Sequence, residues 1–401
     1  MRSDWSKATI EDVCLQVTDG AHNSPRSVNK GRYMVSVKDF TQYGFDFSGC
    51  KMISENDYAA LEHSGCVPMI DDILIGKDGA RYFEDIIIYR QLERPALLSS
   101  IAILRADKNK ILPEFLYYML KLPSYKKNVR ENYGSGSAIP RIVLKDFKRM
   151  TIAYPSIHTQ QKIVNILQDL DARIQINQQI NDNLEQQAAA MFRDLFVVHA
   201  DPSWREGTIS DLGTVVGGST PSKAKPEYYT DHGIAWITPK DLSVDKSKFV
   251  SHGADDITEL GLRNSSASIM PRGTVLFSSR APIGYIAIAD GEVTTNQGFK
   301  SVIPHDNIGT AFVYYFLKSA LPTIEGMASG STFKEISGST MKTVPAIIPD
   351  DDTLSRFTFF CDPLFQQQRT LELQNRELAE LRDALLPRLM SGETDVSSIA
   401  I

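Results

Sequence analysis

Residues 156–198 read SIHTQQKIVNILQDLDARIQINQQINDNLEQQAAAMFRDLFVV, a stretch that contains neither proline nor glycine. Its apolar residues recur at alternating steps of four and three, at Ile163, Leu167, Leu170, Ile174, Leu184, Ala188, Met191 and Leu195. Asn177 and Asn181 continue the same spacing between the two apolar halves. A heptad seam with a polar centre predicts a long helix that pairs with another helix. At about 1.5 Å per residue the helix would be about 64 Å long, which is typical of a spacer.

The sequence on either side of this helix contains an internal repeat at a spacing of about 195–200 residues. The matched segments are 5–13 with 204–212, 37–40 with 239–242, 72–75 with 274–277, 115–120 with 312–317, and 136–155 with 330–349. A helical stretch follows Pro155 and Pro349, and Ser156 is expected to cap the first of these helices. We therefore predict two globular units, at 1–155 and 200–349. A long helical segment follows each unit, at 156–199 and 350–391, and a tail covers 392–401.

Each globular unit is predicted to be a mixed domain of about 150 residues. Short β-branched runs separated by Gly and Pro predict strands at 73–75, 86–89, 100–104, 275–278, 286–289 and 300–303. Amphipathic helices are predicted near 113–121 and 309–319. The predicted fold class is α+β, with two repeated mixed α/β units separated by two long helices that form an antiparallel coiled coil.

A second long helix is predicted after Asp350–Asp352, whose carboxylates can cap its start. Its proposed seam runs through Phe357, Phe360, Leu364, Gln367, Leu371, Gln374, Leu378, Leu381 and Leu385. We expect the polar region from Gln367 to Gln374 to face the asparagines of the first helix and to fix the register of the pair. Pro363 is expected to kink this helix or to delay its start, because proline removes a backbone hydrogen bond.

The net charge of −6 hides a basic N-terminal unit. Residues 121–149 contain eight Lys or Arg and only two Asp or Glu, together with Tyr125 and Tyr133. This run is the strongest electrostatic indication of nucleic-acid binding in the chain. The four cysteines, Cys14, Cys50, Cys66 and Cys361, lack the spacing of a zinc site or a disulfide framework and are expected to be buried free thiols.

No apolar run reaches the roughly 18 residues of a membrane span, and the N-terminal residues lack the apolar core of a signal peptide. We therefore expect a cytoplasmic protein with no membrane partner. Phosphate-binding loops, nuclease and hydrolase signatures and metal-ligand spacings are all missing from the sequence. The expectation is a chain without catalytic residues, metal or cofactor of its own.

Two related units joined by a rigid helix suit a bipartite linear target such as DNA. Side chains that can contact phosphates or base edges occur at matching places in the two units. They are Asn23, Ser24, Arg26, Lys38, Lys77, Arg81, Ser137 and Arg141 in the first, and Thr220, Lys223, Lys240, Arg280, Gln297, Thr332 and Lys334 in the second. For each single Lys or Arg, a solvated surface charge remains the alternative interpretation.

Three segments of the second unit resemble a target recognition domain of a type I restriction-modification specificity subunit. They are GGSTPSKAKPEYYTDHGIAWITPKDL (217–242), PRGTVLFSSRAPIGYIAIADGEVTTNQGFKSVIP (271–304) and SGSTFKEISGSTMKTVPAIIP (329–349). YPSIHTQQKIVNILQDLDARI (154–174) and LAELRDALLPRLMSGE (378–393) are similar to conserved helical regions of that family. The resemblance covers nearly the whole chain, although the first unit matches more weakly.

The resemblance implies that each unit is a target recognition domain that reads one half of a split double-stranded DNA site through the major groove. The paired helices would set the spacing and bind two methyltransferase (modification) subunits, which use S-adenosyl-L-methionine to methylate adenine. Restriction endonuclease/translocase subunits would join for cleavage. It also implies partner-binding residues on the helices, at Gln160, Gln161, Ile163, Leu167, Leu378, Leu381 and Leu385.

Two other functions remain open on the sequence alone. The duplicated units could be protein-binding heads of a scaffold that does not itself read DNA. The chain could also be a free-standing enzyme with an unrecognised fold. A steep loss of DNA affinity with rising salt would favour DNA reading over the scaffold, because phosphate contacts release counterions. Nuclease or methyltransferase activity of the single chain would favour the enzyme.

Deleting seven residues from each long helix is expected to shorten the preferred gap between two DNA half-sites by about three base pairs. Seven residues correspond to about 10 Å of helix, and each base pair rises about 3.4 Å. Sequencing of the sites methylated by a complex that contains the shortened chain measures this gap. An unchanged gap would contradict the spacer role of the helices.

Overall fold

A computed structural model describes residues 5–134, 140–330 and 334–396. The chain divides into two compact units. We call Met1–Arg173 with Leu378–Ile401 the first unit, and Ile174–Glu377 the second unit. Each unit combines one repeat of the sequence with a segment of each long helix, because those helical segments share a hydrophobic core with the neighbouring sheet. The units therefore differ from the predicted boundaries, which separate the helices from the globular parts.

The described residues of the first unit form three sheets and several short helices. In chain order its elements are β1 (Ser6–Thr9), α1 (Ile10–Val13), β2 (Cys14–Asp19), β3 (Arg32–Val35), β4 (Lys51–Ile53), α2 (Glu55–His63), β5 (Ile73–Gly76), β6 (Ile86–Ile88), β7 (Ala96–Leu97), β8 (Ile101–Ala106), α3 (Pro113–Lys121), α4 (Pro123–Tyr133), α5 (Leu144–Arg149) and β9 (Thr151–Tyr154). The sheets have the strand orders β2–β8–β5–β6, β4–β3–β7 and β1–β9. The strands and the helix predicted for this unit are confirmed.

The first long helix, α6, spans Ile157–Arg193 and continues as a π-helical turn over Asp194–Val198. Its predicted cap is confirmed, since the Thr159 N–H donates to Ser156 Oγ at 3.4 Å. The predicted seam is also confirmed. Its early positions, among them Leu167, lie in the core of the first unit, and later ones such as Ala188 lie in the core of the second.

The second unit repeats the arrangement of the first with some additional strands. Its elements are β10 (Arg205–Thr208), α7 (Ile209–Leu212), β11 (Gly213–Gly217), β12 (Tyr229–Thr230), β13 (Ile234–Ile237), α8 (Pro239–Val244), β14 (Phe249–Val250), β15 (Asp255–Ile257), α9 (Glu259–Arg263), β16 (Val275–Ser279), β17 (Ile283–Ala289), β18 (Thr294–Thr295), β19 (Lys300–Pro304), α10 (Thr310–Ser319), α11 (Leu321–Met327), α12 (Gly338–Lys342) and β20 (Pro345–Ile348). The sheets have the orders β11–β19–β16–β17–β14, β12–β15–β13–β18 and β10–β20. The predicted repeat is thus present in the fold.

The second long helix, α13, spans Asp351–Met390. Asp350 caps it as predicted, because the Thr353 N–H donates to Asp350 Oδ1 at 2.8 Å. The helix begins twelve residues before Pro363 and passes through it, so the expected delay is wrong. Phe357 and Phe365 on either side of the proline lie in the core of the second unit. Their burial offsets the backbone hydrogen bond that proline removes.

The buried face of α13 departs from the predicted seam by one residue. Two successive four-residue steps, from Phe357 to Cys361 and on to Phe365, rotate this face around the helix. The strict alternation of three and four in the prediction does not allow for such a step. As a result Gln368 is buried, and the predicted Gln367 is exposed.

Within the second unit, segments of the two long helices pair through amide groups. Asn177 Nδ2 donates to Asn375 Oδ1 at 2.9 Å, and Gln368 Nε2 donates to the backbone carbonyl of Asn181 at 3.2 Å. The residue numbers rise along one segment as they fall along the other, so the segments are antiparallel, as predicted. Gln368 lies within the predicted 367–374 region, and Asn375 lies one residue beyond it.

In the first unit a tyrosine joins the sheet-covering helix to both long helices. The Tyr118 hydroxyl of α3 donates to Asp171 Oδ2 of α6 at 2.6 Å. Arg382 Nη1 of α13 donates to the other oxygen of the same carboxylate at 2.8 Å. Burial, followed by the hydrogen bond to Asp171, raises the pKa of Tyr118. This network ties three helices together at one carboxylate.

Lys248 makes a comparable junction in the second unit. Its ammonium lies 2.6 Å from Glu185 Oε2, donates to Gln368 Oε1 at 2.9 Å, and lies 3.9 Å from the centre of the Phe365 ring. Lys318 also binds Glu185, at 2.6 Å. Burial acts to raise the pKa of Glu185, but the charges of the two lysines and their hydrogen bonds outweigh it and hold this pKa at about 2.

Three findings bear on cysteines, metals and membranes. All four cysteines are free, Cys66 and Cys361 being buried and the other two half-buried. Among residues 5–134, 140–330 and 334–396, no group of His, Cys, Asp and Glu side chains is arranged to hold a metal ion. In the same ranges no helix is both long enough and apolar enough to cross a membrane.

Replacing Lys248 by Ala is expected to lower the free energy of unfolding by about 2 kcal/mol, because the contacts of the buried ammonium are lost and half-buried Glu185 keeps only Lys318 as an ionic partner. The matched control is Lys246→Ala, since this exposed lysine lies two residues earlier in the same loop and should change stability by less than about 0.5 kcal/mol. Urea unfolding of both variants measures the difference. Equal stability of the two would contradict the buried junction.

Candidate nucleic-acid interface

In each unit, the ends of two strands lie beside the start of a third at one edge of the main sheet. In the second unit β19 pairs antiparallel with both β11 and β16, so the ends of those two strands flank the start of β19. In the first unit β8 has the same relation to β2 and β5. We call this edge, with the loops that leave it, the strand-end edge. Its loops are 20–26, 77–81 and 98–100 in the first unit, and 218–223, 280–282 and 296–299 in the second.

In the second unit the loop after β11 is fastened to its neighbours by hydrogen bonds. The Ser219 N–H donates to the Thr295 carbonyl at 2.8 Å, and Trp236 Nε1 donates to the Ser219 carbonyl at 3.0 Å. The Tyr229 hydroxyl donates to the Pro221 carbonyl at 2.6 Å. The protein itself therefore sets the path of this loop, which suits a recognition surface.

Glycine is required where this loop passes its neighbour. A Cβ atom on Gly218 would lie 2.1 Å from the Asn296 carbonyl oxygen and 2.3 Å from that of Thr295. Gly20 in the first unit is in a similar position, because its Cβ would lie 2.3 Å from the Leu97 carbonyl oxygen. The contacted atoms belong to the backbone and cannot rotate away, so a larger residue would displace the loop.

Thr220, Gln297 and Lys300 form a polar group at the strand-end edge. The Thr220 hydroxyl donates to Gln297 Oε1, and Gln297 is exposed. The Lys300 ammonium donates to the backbone carbonyls of Gln297 and Phe299, each at 3.2 Å. Burial lowers the pKa of Lys300, and the Glu335 carboxylate 4.0 Å away acts in the opposite direction. The sequence predicts the first two residues of this group and misses Lys300.

Arg280 and Glu335 meet at the same edge. Their backbones form an antiparallel bridge, and Arg280 Nη1 lies 3.5 Å from Glu335 Oε2. Both side chains are partly exposed, and Lys334 beside them is exposed. Glu335 is not among the predicted residues, because an acidic side chain is not expected at a DNA-binding surface. The predicted contacts Thr332 and Ser137 lie outside the described residues.

The first unit repeats these backbone connections with different side chains. The Ala21 N–H donates to the Leu97 carbonyl at 2.7 Å. This hydrogen bond is equivalent to the one from the Ser219 N–H to the Thr295 carbonyl in the second unit. This correspondence aligns Gly20 with Gly218. Comparison of 20–26 with 217–223 in sequence alone pairs Gly20 with Gly217, because two glycines occur in succession at 217 and 218.

Lys77, which the sequence predicts to contact DNA, is buried in an ion pair and not exposed. Its ammonium lies 3.2 Å from an Asp19 carboxylate oxygen and 3.7 Å from one of Asp78. Only 7% of Lys77 is exposed. Asp19 ends β2 and Lys77 follows β5, so their ion pair joins the ends of two strands. The sequence could not reveal this partner, which lies 58 residues away.

Lys38 and Arg81 line a cavity of about 460 Å³ together with Asp78 and Asp85. Arg81 Nη2 donates to Asp85 Oδ1 at 2.8 Å, although most of its side chain is exposed. Lys240, which matches Lys38 in the second unit, is exposed. The structure thus brings two predicted cations together, with two carboxylates that the sequence analysis does not assign.

The loop after β2 is held by a lysine from the neighbouring sheet. The Lys51 ammonium donates to Ser24 Oγ and to the backbone carbonyl that follows. Asn23 and Arg26 are exposed in this loop, as is Lys223 in the corresponding loop of the second unit. All four of these predicted contacts are therefore exposed, although Ser24 also has a structural partner.

One backbone bridge carries an acidic and a basic residue in both units, but in the opposite order. The backbone of Asp78 bridges that of Arg141 in the first unit, as the backbone of Arg280 bridges that of Glu335 in the second. Arg141 is exposed. The two units therefore present opposite charges at equivalent positions of one bridge, which would give their surfaces different preferences.

The basic run 121–149 is less cationic than its composition indicates. Lys126 Nζ lies 2.8 Å from Glu84 Oε2, and Arg130 pairs with the same carboxylate. Tyr125 packs against the core of the first unit instead of presenting its ring to solvent. Part of the predicted electrostatic footprint is thus used inside the fold.

Three of the predicted partner-binding residues, Gln160, Ile163 and Leu167, are buried inside the first unit. Gln160 Oε1 accepts the Leu112 N–H at 2.9 Å, and its amide nitrogen donates to two backbone carbonyls. Their burial is at odds with binding to another subunit. Gln160 is assigned to partner binding from the family resemblance alone, whereas here its side-chain amide satisfies buried backbone groups.

The other predicted partner-binding residues are more accessible. Leu381 is 49% exposed, so this predicted seam position lies off the buried face of α13. Leu378, Leu385 and Gln161 are half-buried. Other apolar side chains on the long helices of the second unit are also exposed, among them Ile176, Ile180, Phe359 and Leu373.

The chain matches a known family in both repeats. Residues 2–186 and 202–380 match the family model described as "Type I restriction modification DNA specificity domain". The type I restriction enzyme MjaIX specificity subunit of Methanocaldococcus jannaschii is 36% identical over 196 residues, which span 47% of this chain and 45% of that relative. The type I restriction enzyme HindI specificity subunit of Haemophilus influenzae is 25% identical over 386 residues, which span 77% of this chain and 83% of that relative.

A solved structure shares the fold. The crystal structure of a type I restriction-modification system S subunit from M. genitalium is similar to this chain with a TM-score of 0.56. The two chains are 19% identical, and the comparison covers 96% of each.

Replacing Gly218 by Ala is expected to lower the free energy of unfolding by about 1–3 kcal/mol, because the new methyl group overlaps two backbone carbonyls. The matched control is Gly217→Ala, whose Cβ would meet only the Lys300 side chain, at 4.0 Å. Chemical denaturation of the two variants provides the comparison. The account of the loop is contradicted if Gly218→Ala is as stable as the control.

Proposed function

The chain belongs to the family of type I restriction modification DNA specificity domains, and from this membership we propose that it selects the DNA sequence at which a type I restriction-modification complex acts. Each unit reads one half of a bipartite double-stranded site. The observation that carries the proposal is the repetition of the strand-end edge. The same backbone connections present polar and cationic side chains at the same edge of both sheets.

The exposed residues of the second unit divide into two roles. Lys223, Lys240 and Lys334 contact phosphates, which fixes the position of the protein and makes the affinity depend on salt. Arg280 and Gln297 approach base edges, which carry the sequence information. The partial exposure of Arg280 supports this role, because its guanidinium has donors left when Glu335 holds one of them.

The first unit has a corresponding set with a different chemistry. Lys38, Arg26 and Arg81 supply the cations, and Asn23 supplies an amide for a base edge. Arg141 lies at the bridge where the second unit has an acidic residue. Because the side chains differ on a shared frame, the two half-sites should have different sequences.

We assign catalysis to other subunits of the complex. Methyltransferase subunits, using S-adenosyl-L-methionine, would modify the site, and restriction endonuclease/translocase subunits would cleave DNA. The exposed apolar side chains Ile176, Ile180 and Leu373 support a role of the long helices in binding these partners, since such side chains can pack against another helix. A complex that acts on DNA in this way would work in the cytoplasm.

Removing a cation from the strand-end edge is expected to weaken DNA binding without disassembling the complex. In the presence of the methyltransferase subunits, Arg280→Ala and Lys334→Ala should each lower the affinity for the cognate site about tenfold. Lys334→Ala should also reduce the slope of log affinity against log salt by about one, because one phosphate contact is lost. Filter binding across a salt series measures both quantities.

Lys342→Ala is the control for this experiment. Lys342 is exposed, and its carbonyl accepts a hydrogen bond from Ser210 near the opposite end of β11. Its removal should leave affinity unchanged. If the DNA affinity of the wild-type complex does not fall steeply with salt, a protein-binding scaffold becomes the better proposal. If both Arg280→Ala and Lys334→Ala keep the wild-type affinity, these two residues do not belong to the DNA interface.

A further inference from the structure

Backbone hydrogen bonds identify equivalent residues at the strand-end edges of the two units. The Ser279 N–H donates to the Gly298 carbonyl at 2.7 Å, and the Lys77 N–H donates to the Ser100 carbonyl at 2.9 Å. Gly298 and Ser100 are therefore equivalent. The residue before each of them lies at the tip of the turn that precedes β19 in the second unit and β8 in the first.

The residue at this tip is Gln297 in the second unit and Ser99 in the first. The loop opposite the tip is equivalent as well, because Ser219 and Ala21 make the same backbone hydrogen bond. The residue after each of these is Thr220 in the second unit and His22 in the first. Sequence comparison does not align these pairs, and it does not single out Ser99 or His22.

The turn that carries Gln297 is held on three sides. The Asn296 N–H donates to the Ile237 carbonyl at 3.1 Å, and the Gly298 N–H donates to Asn296 Oδ1 at 2.8 Å. The Gln297 carbonyl accepts the Lys300 ammonium at 3.2 Å. An exposed side chain on such a fixed turn loses little backbone freedom when it binds a partner.

The Gln297 side chain is itself oriented by a neighbour. The Thr220 hydroxyl donates to Gln297 Oε1, and this hydrogen bond leaves the amide nitrogen free to donate and the oxygen with a second lone pair. A donor and an acceptor side by side match the N7 and N6 edge of adenine in the major groove. Ser99 offers one short hydroxyl, which can address several bases.

We propose that the tip of this turn is the base-reading position of each unit, that Gln297 reads an adenine in the second half-site, and that Thr220 is its positioning residue. This inference rests on the proposed function and assigns one position of the recognised sequence to one side chain. Ser99 takes the equivalent position in the first half-site with lower selectivity, beside His22, whose Nε2 lies 3.3 Å from Asp19.

The test uses the chain assembled with its methyltransferase subunits and a library of DNA duplexes in which the recognised site is randomised. Sequencing of the methylated products gives the base preference at each position. Gln297→Ala and Gln297→Ser should lower the preference for adenine at one position of the second half-site about tenfold or more. All preferences in the first half-site should stay the same. Ser99→Gln should add a preference for adenine at one position of the first half-site.

Thr220 is tested by rescue. Thr220→Val should weaken the same adenine preference. Thr220→Ser should keep the wild-type preference, because it retains the hydroxyl. Asn307→Ala is the matched control, because Asn307 is an exposed amide after the far end of β19. Thermal unfolding of each variant shows whether it is folded. Because Gln297 is exposed, we expect its variants to fold like the wild type.

The outcomes separate this inference from the proposed function. Absence of any sequence preference in the wild-type complex would overturn the proposed function and the inference together. A bipartite preference in the wild type that Gln297→Ala leaves unchanged at every position would overturn the inference alone. A uniform loss of affinity with an unchanged preference would also overturn it, since it would indicate a phosphate contact.

Discussion

The hydrogen bonds between the loop after one sheet strand and the turn before another are the constraint on which the proposed interface depends. In the second unit Ser219 binds Thr295 and Ser279 binds Gly298, and the close approach at Gly218 leaves no room for a larger residue. Because these contacts involve backbone atoms, they persist when the neighbouring side chains change. A fixed frame with variable side chains suits a sequence reader, since substitutions can alter what is read without altering the fold.

Local pattern was sufficient to predict much of the architecture. The seam of α6 follows from the spacing of its apolar residues, and the repeat predicted both globular units. The seam of α13 was predicted less well. One extra four-residue step near Phe365 shifts it, and that step follows from packing on the core of the second unit. A period read from sequence alone does not contain this tertiary preference.

The candidate interface was harder to predict, because the sequence shows the cations but does not show which carboxylates they meet. Lys77 is neutralised by Asp19, and Arg280 is held by Glu335. Gln160 looks like a surface residue and is buried among backbone groups. Ser99 was missed because its equivalence to Gln297 depends on hydrogen bonds between strands that are far apart in sequence. Residue type and spacing thus identify candidate binding residues. The contacts in the folded chain decide which of these side chains remain exposed for binding.

The central claim is that two equivalent strand-end edges read two separate DNA segments. Sequencing the adenines methylated by the complex that contains this chain tests the claim most directly. The account predicts one recognised sequence made of two specific segments separated by a gap of fixed length and unspecified bases. A single uninterrupted recognised sequence, or methylation without sequence preference, would contradict it.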